Sequence, residues 1–550
     1  MDTAANPTAK GAWPRAVVVY LAVAALVCFA WLGTTDVISM EGIVADVTRH
    51  MDRTGEILLP RLYGELYTYK SPLTYWLALA SRHICGVESE WSLRFPVALS
   101  GLLMGLAALV LVGRIAGPTA GCFTAIAALT GALVLQKVRM AEYDMPLAAS
   151  VGVAVAAACH NLAAERPRAW IWLLASGGLT FGLLAKGLPA LLLFAPGLLL
   201  ASLLTRRVRR LWSWSHVLAV ALCAVVIGVY GLAVYHAGGA AAFAQPLAEA
   251  RYRGTAWTAR DLAITVAKPL VVLVVFLPWS ALLPLAASAP LWQAQDRPTR
   301  HLLAAAIGFL LAGILALMAV PTYQTRYFLP LCVPVGIIAG IVATSPVAET
   351  QRWSQIRAGI ARIGTMVAGL LALAAGLQTA VYRLPTDQRV LLVGLGLVAL
   401  LGALRAATPR TATWPARLLT IAALCVWATL TLVDGPQRAE KRSLRSVAQA
   451  FDAHLPPGAA VWLDMDDDQS SLIYYLRRPA QTFRRAEAWP PAHSYVVLFP
   501  QQIQELETQP ALTLVQLARA RGAGLDFVLG RLEARPAVSP ATSSASVTPP

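Results

Sequence analysis

Three acids, Asp36, Glu41 and Asp144, and four cations, Lys70, Lys186, Arg251 and Arg253, are the residues whose types and settings allow chemistry. Asp144 stands just before Pro146 at the start of an apolar run, and Lys186 sits in Leu184-Ala185-Lys186-Gly187-Leu188-Pro189, squeezed between two such runs. Ionisable groups so placed are costly unless they pair with one another or bind a charged ligand. A carboxylate there can take a proton from an acceptor. Several fixed cations beside it suit an anionic headgroup such as a phosphate near the lipid interface. The plain structural alternatives are that Lys186 snorkels to the surface and that Asp144 caps its helix.

The elements that must position these groups are membrane helices. The chain has 550 residues, 57% of them hydrophobic and only 13% charged, with a mean hydropathy of +0.60. That is more apolar surface than a soluble core can bury, so the solvent of this protein is mostly lipid. A net charge of +16 would suggest nucleic acid in a soluble protein. Here Lys and Arg fall between apolar runs, and no basic stripe interleaves with aromatics on a polar domain, so nucleic acid is excluded as a partner. The cysteines lie mostly inside apolar runs without Cys-x-x-Cys or Cys/His spacing, which implies neither disulfides nor a thiolate metal site.

About thirteen spans are expected, beginning with an uncleaved one at Ala16–Gly33 and ending at Leu418–Val433. Among them, Leu147–Leu162 follows Asp144, Leu262–Leu285 follows the Arg251–Arg260 loop, and Trp170–Leu204 reads as one broken helix or two. With residues 1–14 cytoplasmic, the alternate loops carry Arg114, Arg166 and Arg168, Arg206 to Arg210, Arg297 and Arg300, Arg352 to Arg362, and Arg405 to Arg417. Every inner loop is then basic, as the positive-inside bias requires. The outer loops carry Asp36 and Glu41, Lys137, Arg139 and Asp144, Lys186, Arg251, Arg253 and Arg260, and Tyr323 and Arg326. The first of them, residues 35–92, is the longest polar interruption of the membrane part, residues 15–435. Residues 436–536 read as a small external α/β domain, with a helix at Arg445–His454 and strands at Ala459–Leu463, Ser494–Phe499 and Phe527–Leu529. Residues 537–550 are Ser/Thr/Pro/Ala-rich and expected to be disordered.

Some polar residues have simpler readings. Asp46, Arg49 and Asp52 are expected to pair along a surface helix. Tyr75 and Trp76 are expected to anchor an interfacial helix. The Asp464–Asp468 run lacks the glycine and terminal glutamate of a calcium loop and reads as a solvated strand-end loop.

Met40-Glu41-Gly42-x-x-Ala45-Asp46, Pro60-Arg61-Leu62-x-Gly64 and Tyr69-Lys70-Ser71-Pro72-Leu73-x-Tyr75-Trp76-Leu77 together resemble the opening of a superfamily of membrane glycosyltransferases, the protein O-mannosyltransferases and aminoarabinose–lipid A transferases. The similarity continues through Arg94-Phe95-Pro96, Asp144, Leu184-Ala185-Lys186-Gly187, Phe276-Leu277-Pro278-Trp279-Ser280 and Tyr327-Phe328-Leu329-Pro330-Leu331. The resemblance implies a GT-C fold: an all-α polytopic membrane protein of about thirteen helices with a small periplasmic C-terminal α/β domain. It also implies sugar transfer from a polyprenyl phosphate donor on the outer leaflet, where no ATP is present.

By the same resemblance Glu41 matches the second acid of the family's Asp-Glu pair, Asp144 an acid of the active-site cavity and Lys70 a lysine that contacts the carrier phosphate, with Arg251 or Arg253 in the corresponding arginine role and Lys186 at a further matching position. Tyr67, Tyr69, Tyr323 and Arg326 are expected to line the substrate cavity. The chain also departs from the pattern. Met40 stands where the catalytic aspartate belongs, Ile43 and Val44 replace Arg-Tyr, and Tyr69 replaces a glutamate. The acceptor base is then Glu41 or Asp36. No bound cofactor is expected, although outer carboxylates such as Asp36 leave a divalent metal open.

The expected activity is inverting transfer to an envelope acceptor at the bacterial inner membrane, with aminoarabinose and lipid A preferred. Another sugar passed to protein or to another envelope glycan, a flippase for lipid-linked sugar, and an inactive relative are the alternatives.

Overall fold

A computed structural model describes residues 11–252, 258–321, 324–348, 352–378, 384–405, 411–464, 470–476, 478–485 and 487–535. The chain divides into two compact units. The first holds residues 1–36, 47–62 and 66–439, and the second holds residues 37–46, 63–65 and 440–550.

The first unit is a multi-span helical membrane body. Among the described residues, ten helices are long and apolar enough to cross a bilayer. Two shorter apolar helices, Pro118–Thr130 and Pro189–Leu204, and one broken pair account for the remaining expected spans. The broken pair corrects the single run expected over Leu262–Leu285: Ala259–Val275 and Trp279–Ala287 meet at an angle of 115°. Pro278 stands at the break and has no N–H with which to continue a helix. Trp170–Leu204 resolves into two helices, Ala169–Lys186 and Pro189–Leu204. Gly187 separates them with φ +73°, a left-handed conformation that glycine adopts without strain.

At the centre of this unit lies Asp144–Ala163, whose apolar window is 89% buried. Its sequence, rich in alanine with Gly152, lets neighbouring backbones approach closely, which is how helices associate where lipid offers no hydrophobic drive. It packs against Glu90–Ala116, Ala169–Lys186, Pro189–Leu204, Arg297–Met318 and Cys332–Thr344. A helix so enclosed holds its first residue, Asp144, in a fixed place.

The second unit contains a five-stranded sheet. Its strands are β1 Val461–Asp464, β2 Ala480–Phe483, β3 Tyr495–Leu498, β4 Leu512–Gly522 and β5 Leu525–Ala534, in the order β2-β1-β3-β5-β4. β1 runs parallel to β2 and β3, while β5 is antiparallel to β3 and β4. Phe483, Val496, Leu498, Leu506 and Leu532 form its core. The expected helix at Arg445–His454 is present as Arg445–Asp452. Asp464 is not solvated: it is fully buried, bonded by Arg485 and by Gln502 Nε2 at 3.2 Å. A strand-end carboxylate with two donors is stable inside the fold where a lone one is not. The remainder of the acid run, residues 465–469, lies outside the described residues.

The first outer loop is divided between the units. The Met40–Thr54 helix begins in the second unit, where a Cβ on Gly42 would lie 2.4 Å from Ser471 N and 2.5 Å from Ser470 C. Only glycine permits that approach. In the same unit Val37 N–H donates to the Tyr475 hydroxyl at 2.6 Å, and Asp46 Oδ2 accepts from Tyr63 N–H at 2.9 Å.

The pairs expected along the Met40–Thr54 helix go elsewhere. Arg49 Nε meets Glu88 at 2.6 Å, and Asp52 meets Arg82 at 3.1 Å and His83 at 3.1 Å. Those partners lie on and just after the Leu73–Cys85 helix, so the charges bind elements together. Nearby, Glu56 accepts from Arg61 at 2.8 Å, and this hydrogen bond, with the Arg61 and His50 charges, holds its carboxyl below the usual value of 4.5. A carboxyl depressed in the folded state contributes stability that is present above the unfolded pKa and lost as pH falls through the folded one. Because the Glu56 side chain is 34% exposed, the contribution is under about 1 kcal/mol. Thermal melts in detergent at pH 7 and pH 4 test this: Glu56→Gln is expected to lower the melting temperature slightly at pH 7 and by less at pH 4.

Candidate active site

In the first unit two cations, Lys186 and Arg326, come together with Asp144 at the ends of three elements. Asp144 is the first residue of its helix, and its carboxylate does not cap it. Instead Oδ1 takes a hydrogen bond from Lys186 Nζ, and Oδ2 lies 3.7 Å from Arg326 Nε. Both partners of the lysine–aspartate pair are nearly buried, with side-chain exposures of 8% and 4%. Lys186 therefore does not snorkel. Its ammonium also stands 5.3 Å from the centre of the Tyr327 ring, a cation–π contact. One carboxylate between two cations leaves a net positive charge, the arrangement that attracts an anion.

The segment that follows Lys70 reaches the end of the Lys186 helix. Ser71 Oγ is 3.6 Å from where a Cβ of Gly187 would stand, so the residues that follow Lys70 and Lys186 are neighbours. Two residues beyond Pro72's neighbour Leu73, Tyr75 donates or accepts a 2.9 Å hydrogen bond with Tyr143, the residue before Asp144, and the rings meet edge-on at 5.6 Å. Both tyrosines are buried. Tyr75 is thus not an interfacial anchor but a tie between the Lys70 segment and Asp144. Trp76 is half-buried, donates Nε1–H to the Ile57 carbonyl at 2.8 Å and meets the Tyr230 ring edge-on.

Tyr67 and Tyr69 contact one another with ring centres 5.5 Å apart. The segment that carries them is clasped by Gln245, which accepts from Thr68 N–H at 2.6 Å and donates to the Leu66 carbonyl at 2.8 Å. Gln245 belongs to the Ala241–Tyr252 helix, the last turn of which carries Arg251. Arg253 and Tyr323 lie outside the described residues.

The two remaining acids are held differently. Asp36 is half-buried, and its backbone carbonyl accepts from Arg94 Nη2 at 2.9 Å. Arg94 Nη1 also bonds the carbonyls of Leu32 at 3.1 Å and Thr35 at 2.8 Å, so one buried guanidinium folds the whole turn that presents Asp36. Glu41 belongs to the second unit. It is fully buried in the first helical turn, and its Oε2 accepts from Ile38 N–H at 3.3 Å. A carboxylate there also complements the helix N-terminus.

Two further charges resolve nearby. Lys137 pairs with Glu142 at 2.5 Å, and Arg139 donates to the Val27 carbonyl at 3.0 Å. Burial, reinforced by the Arg94 charge, pushes the Arg139 guanidinium down to about 10, so it stays protonated at neutral pH. Sequence reasoning missed Glu142, Arg94 and Lys268. Lys268 is buried within Ala259–Val275 and donates to the carbonyls of Leu317 at 2.9 Å and Val320 at 2.6 Å. Its signal was available, as a lysine inside an apolar run. Among the described residues no three His, Cys, Asp or Glu side chains converge to hold a metal ion.

Residues 69–230, which include Lys70, Arg94, Asp144 and Lys186, match the model of the dolichyl-phosphate-mannose-protein mannosyltransferase family. Over 94% of the chain, the backbone superposes on ArnT from Cupriavidus metallidurans bound to undecaprenyl phosphate, with a TM-score of 0.73, 21% identity and 97% of that chain covered. The chain has the GT-C fold. The apo structure of the same ArnT gives a TM-score of 0.72 at 20% identity. An uncharacterized protein of Aquifex aeolicus is 39% identical over 77 residues, which are 14% of this chain and 15% of that protein. The chain therefore spans about 15% of the length of that curated relative. Within the GT-C fold, the convergence of Lys186, Asp144 and Arg326 is a property of this chain's own packing.

Proposed function

We propose that this protein is a membrane glycosyltransferase that moves a sugar from a polyprenyl phosphate to an envelope acceptor. The observation that carries the reading is the buried Asp144–Lys186–Arg326 cluster, net positive and tied to the Lys70 segment through Ser71 and Tyr75. A net positive cluster held within a helical membrane body suits a lipid-linked phosphate. The likeness to ArnT with its bound undecaprenyl phosphate supports the same class of donor.

In the proposed reaction the acceptor oxygen bonds to C1 of the sugar as its proton passes to a carboxylate. The bond from C1 to the phosphate oxygen breaks, and its electron pair leaves on polyprenyl phosphate. Lys70, Lys186, Arg251 and Arg253 offset the charge that develops there, an effect worth several kcal/mol in a water-poor site. Asp144 holds Lys186 in place. We assign the acceptor base to Asp36, half-buried on a turn fixed by Arg94, in preference to Glu41, which is fully buried with its carboxylate on a backbone N–H. Asp36→Asn is expected to lower kcat about 10²- to 10⁴-fold at little cost in stability. Glu41→Gln is expected to act mainly on stability. A fully active Asp36→Asn together with an inactive, stable Glu41→Gln would reverse the assignment.

The preferred donor sugar and acceptor are 4-amino-4-deoxy-L-arabinose and lipid A, because the motif similarity to that branch runs longest. The basic loops support an inner-membrane placement with the reactive face and the C-terminal unit in the periplasm. Mass spectrometry of lipid A from cells with and without the gene tests the acceptor. Loss of an aminoarabinose adduct on deletion supports lipid A, and unchanged lipid A moves the acceptor to another envelope glycan or to protein.

A further inference from the structure

Away from the cluster, an apolar crevice of about 250 Å³ opens between Ala169–Lys186, Pro189–Leu204 and Trp214–Gly238. Trp172, Ser176, Phe194, His216, Cys223 and Ile227 line it. It reaches from Trp172 to Leu183 on one helix, about 16 Å at the usual rise per residue, so its shape is a slot. Two of the polar groups along it are bonded to the protein. Ser176 Oγ–H donates to the Ala219 carbonyl, and His216 Nδ1 is bonded to the Leu211 carbonyl at 2.7 Å with its ring edge-on to Trp172. Trp172 Nε1–H has no hydrogen-bond partner among the described residues, and the rest of the lining is almost all hydrocarbon.

One end of the slot meets a basic, aromatic turn. His216 ties it to Val208–Trp212, which contains Arg209 and Arg210 and follows Arg206-Arg207. Two of these arginines serve the fold: Arg210 bonds the carbonyls of Asn161 and Glu165, and Arg207 lies 3.3 Å from His301 Nδ1. Arg206 and Arg209 are exposed, and so are Trp212 at 80% and Trp214 at 87%. Two outward guanidinium groups beside two tryptophans are the side chains that hold a phosphate headgroup at the depth of the membrane interface.

The geometry points to a binding site for one anionic glycerophospholipid of the surrounding bilayer, its phosphate on Arg206 and Arg209 and one acyl chain in the slot. Charge complementarity at the turn selects the headgroup, and the apolar slot selects the chain. The site lies outside the Asp144–Lys186–Arg326 cluster and does not depend on the proposed reaction.

The full-length protein, purified and delipidated in detergent, is offered phosphatidylglycerol or phosphatidylcholine, each with a photoreactive group on one acyl chain, and the crosslinks are mapped by mass spectrometry. Crosslinking of phosphatidylglycerol within residues 172–183 and 216–227 is expected to exceed that of phosphatidylcholine about tenfold. The surface variant Arg206→Ala/Arg209→Ala is expected to abolish this preference, and Ala224→Phe, at the slot's exposed edge, to abolish the crosslinks while the protein remains monodisperse. Equal labelling by the two lipids, crosslinks confined to other helices, or displacement of the label by polyprenyl phosphate but not by unlabelled phosphatidylglycerol would each overturn the assignment, the last by giving the slot to the sugar carrier.

Discussion

Replacing Lys186 with alanine is expected to cost about 3–5 kcal/mol of stability and to lower sugar transfer by about 10²- to 10³-fold. The stability loss arises because Asp144, with a side chain only 4% exposed, keeps its charge in a buried place where, among the described residues, only Arg326 at 3.7 Å is left to balance it. Removing both partners separates the two effects. Lys186→Ala/Asp144→Ala removes the uncompensated carboxylate, so its melting temperature in detergent should recover most of the loss. Transfer should not recover, because the cation that faces the departing phosphate is still missing. Equal recovery of stability and transfer would make the pair purely structural.

The second large effect is expected at Gly42. Alanine there brings a Cβ to 2.4–2.5 Å from the Ser470 and Ser471 backbone, and backbone cannot rotate away as a flexible side chain can. Overpacking of this kind costs about 1–3 kcal/mol, and a shift of the Met40–Thr54 helix would disturb the Glu41 turn as well. Limited proteolysis of the C-terminal unit should accelerate in Gly42→Ala. Gly55→Ala serves as the control: that glycine has φ +73° but nothing within 4 Å of an added Cβ, so it should show backbone strain without the proteolytic effect. Matching proteolysis in the two variants would remove the packing explanation.

The membrane helices were legible because apolar runs of bilayer length have few other uses, and Asp144 and Lys186 because charges at the ends of such runs need a reason. Their direct pairing was not legible: the two residues are 42 positions apart and meet only through the packing of two helices. Arg94 was hidden inside a motif, since nothing in its neighbourhood reveals that it gathers the carbonyls of a turn some sixty residues earlier. Tyr75 misled because a tyrosine beside a tryptophan at an expected interface has the composition of an anchor, whereas its hydroxyl finds Tyr143.

In the second unit, β1, β3 and β5 carry short apolar cores that alternate or run continuously, and they were found. β2 is four residues with Gln481 and Thr482 at its centre, and β4 shifts register between Gln516 and Ala518, so neither keeps a clean period of two. Gly42 was visible as a motif residue, but its reason, the Ser470–Ser471 backbone, lies more than four hundred residues away in sequence.

The most direct test of the central claim is to give the purified protein a polyprenyl phosphate carrying a radiolabelled sugar, with an extract of envelope acceptors, and to count label in new glycosidic product alongside free polyprenyl phosphate. The account predicts that both appear in equal amounts, and that both fall together in Lys70→Ala and Asp36→Asn. Movement of the labelled lipid across a vesicle membrane with no glycosidic product and no free polyprenyl phosphate would contradict it.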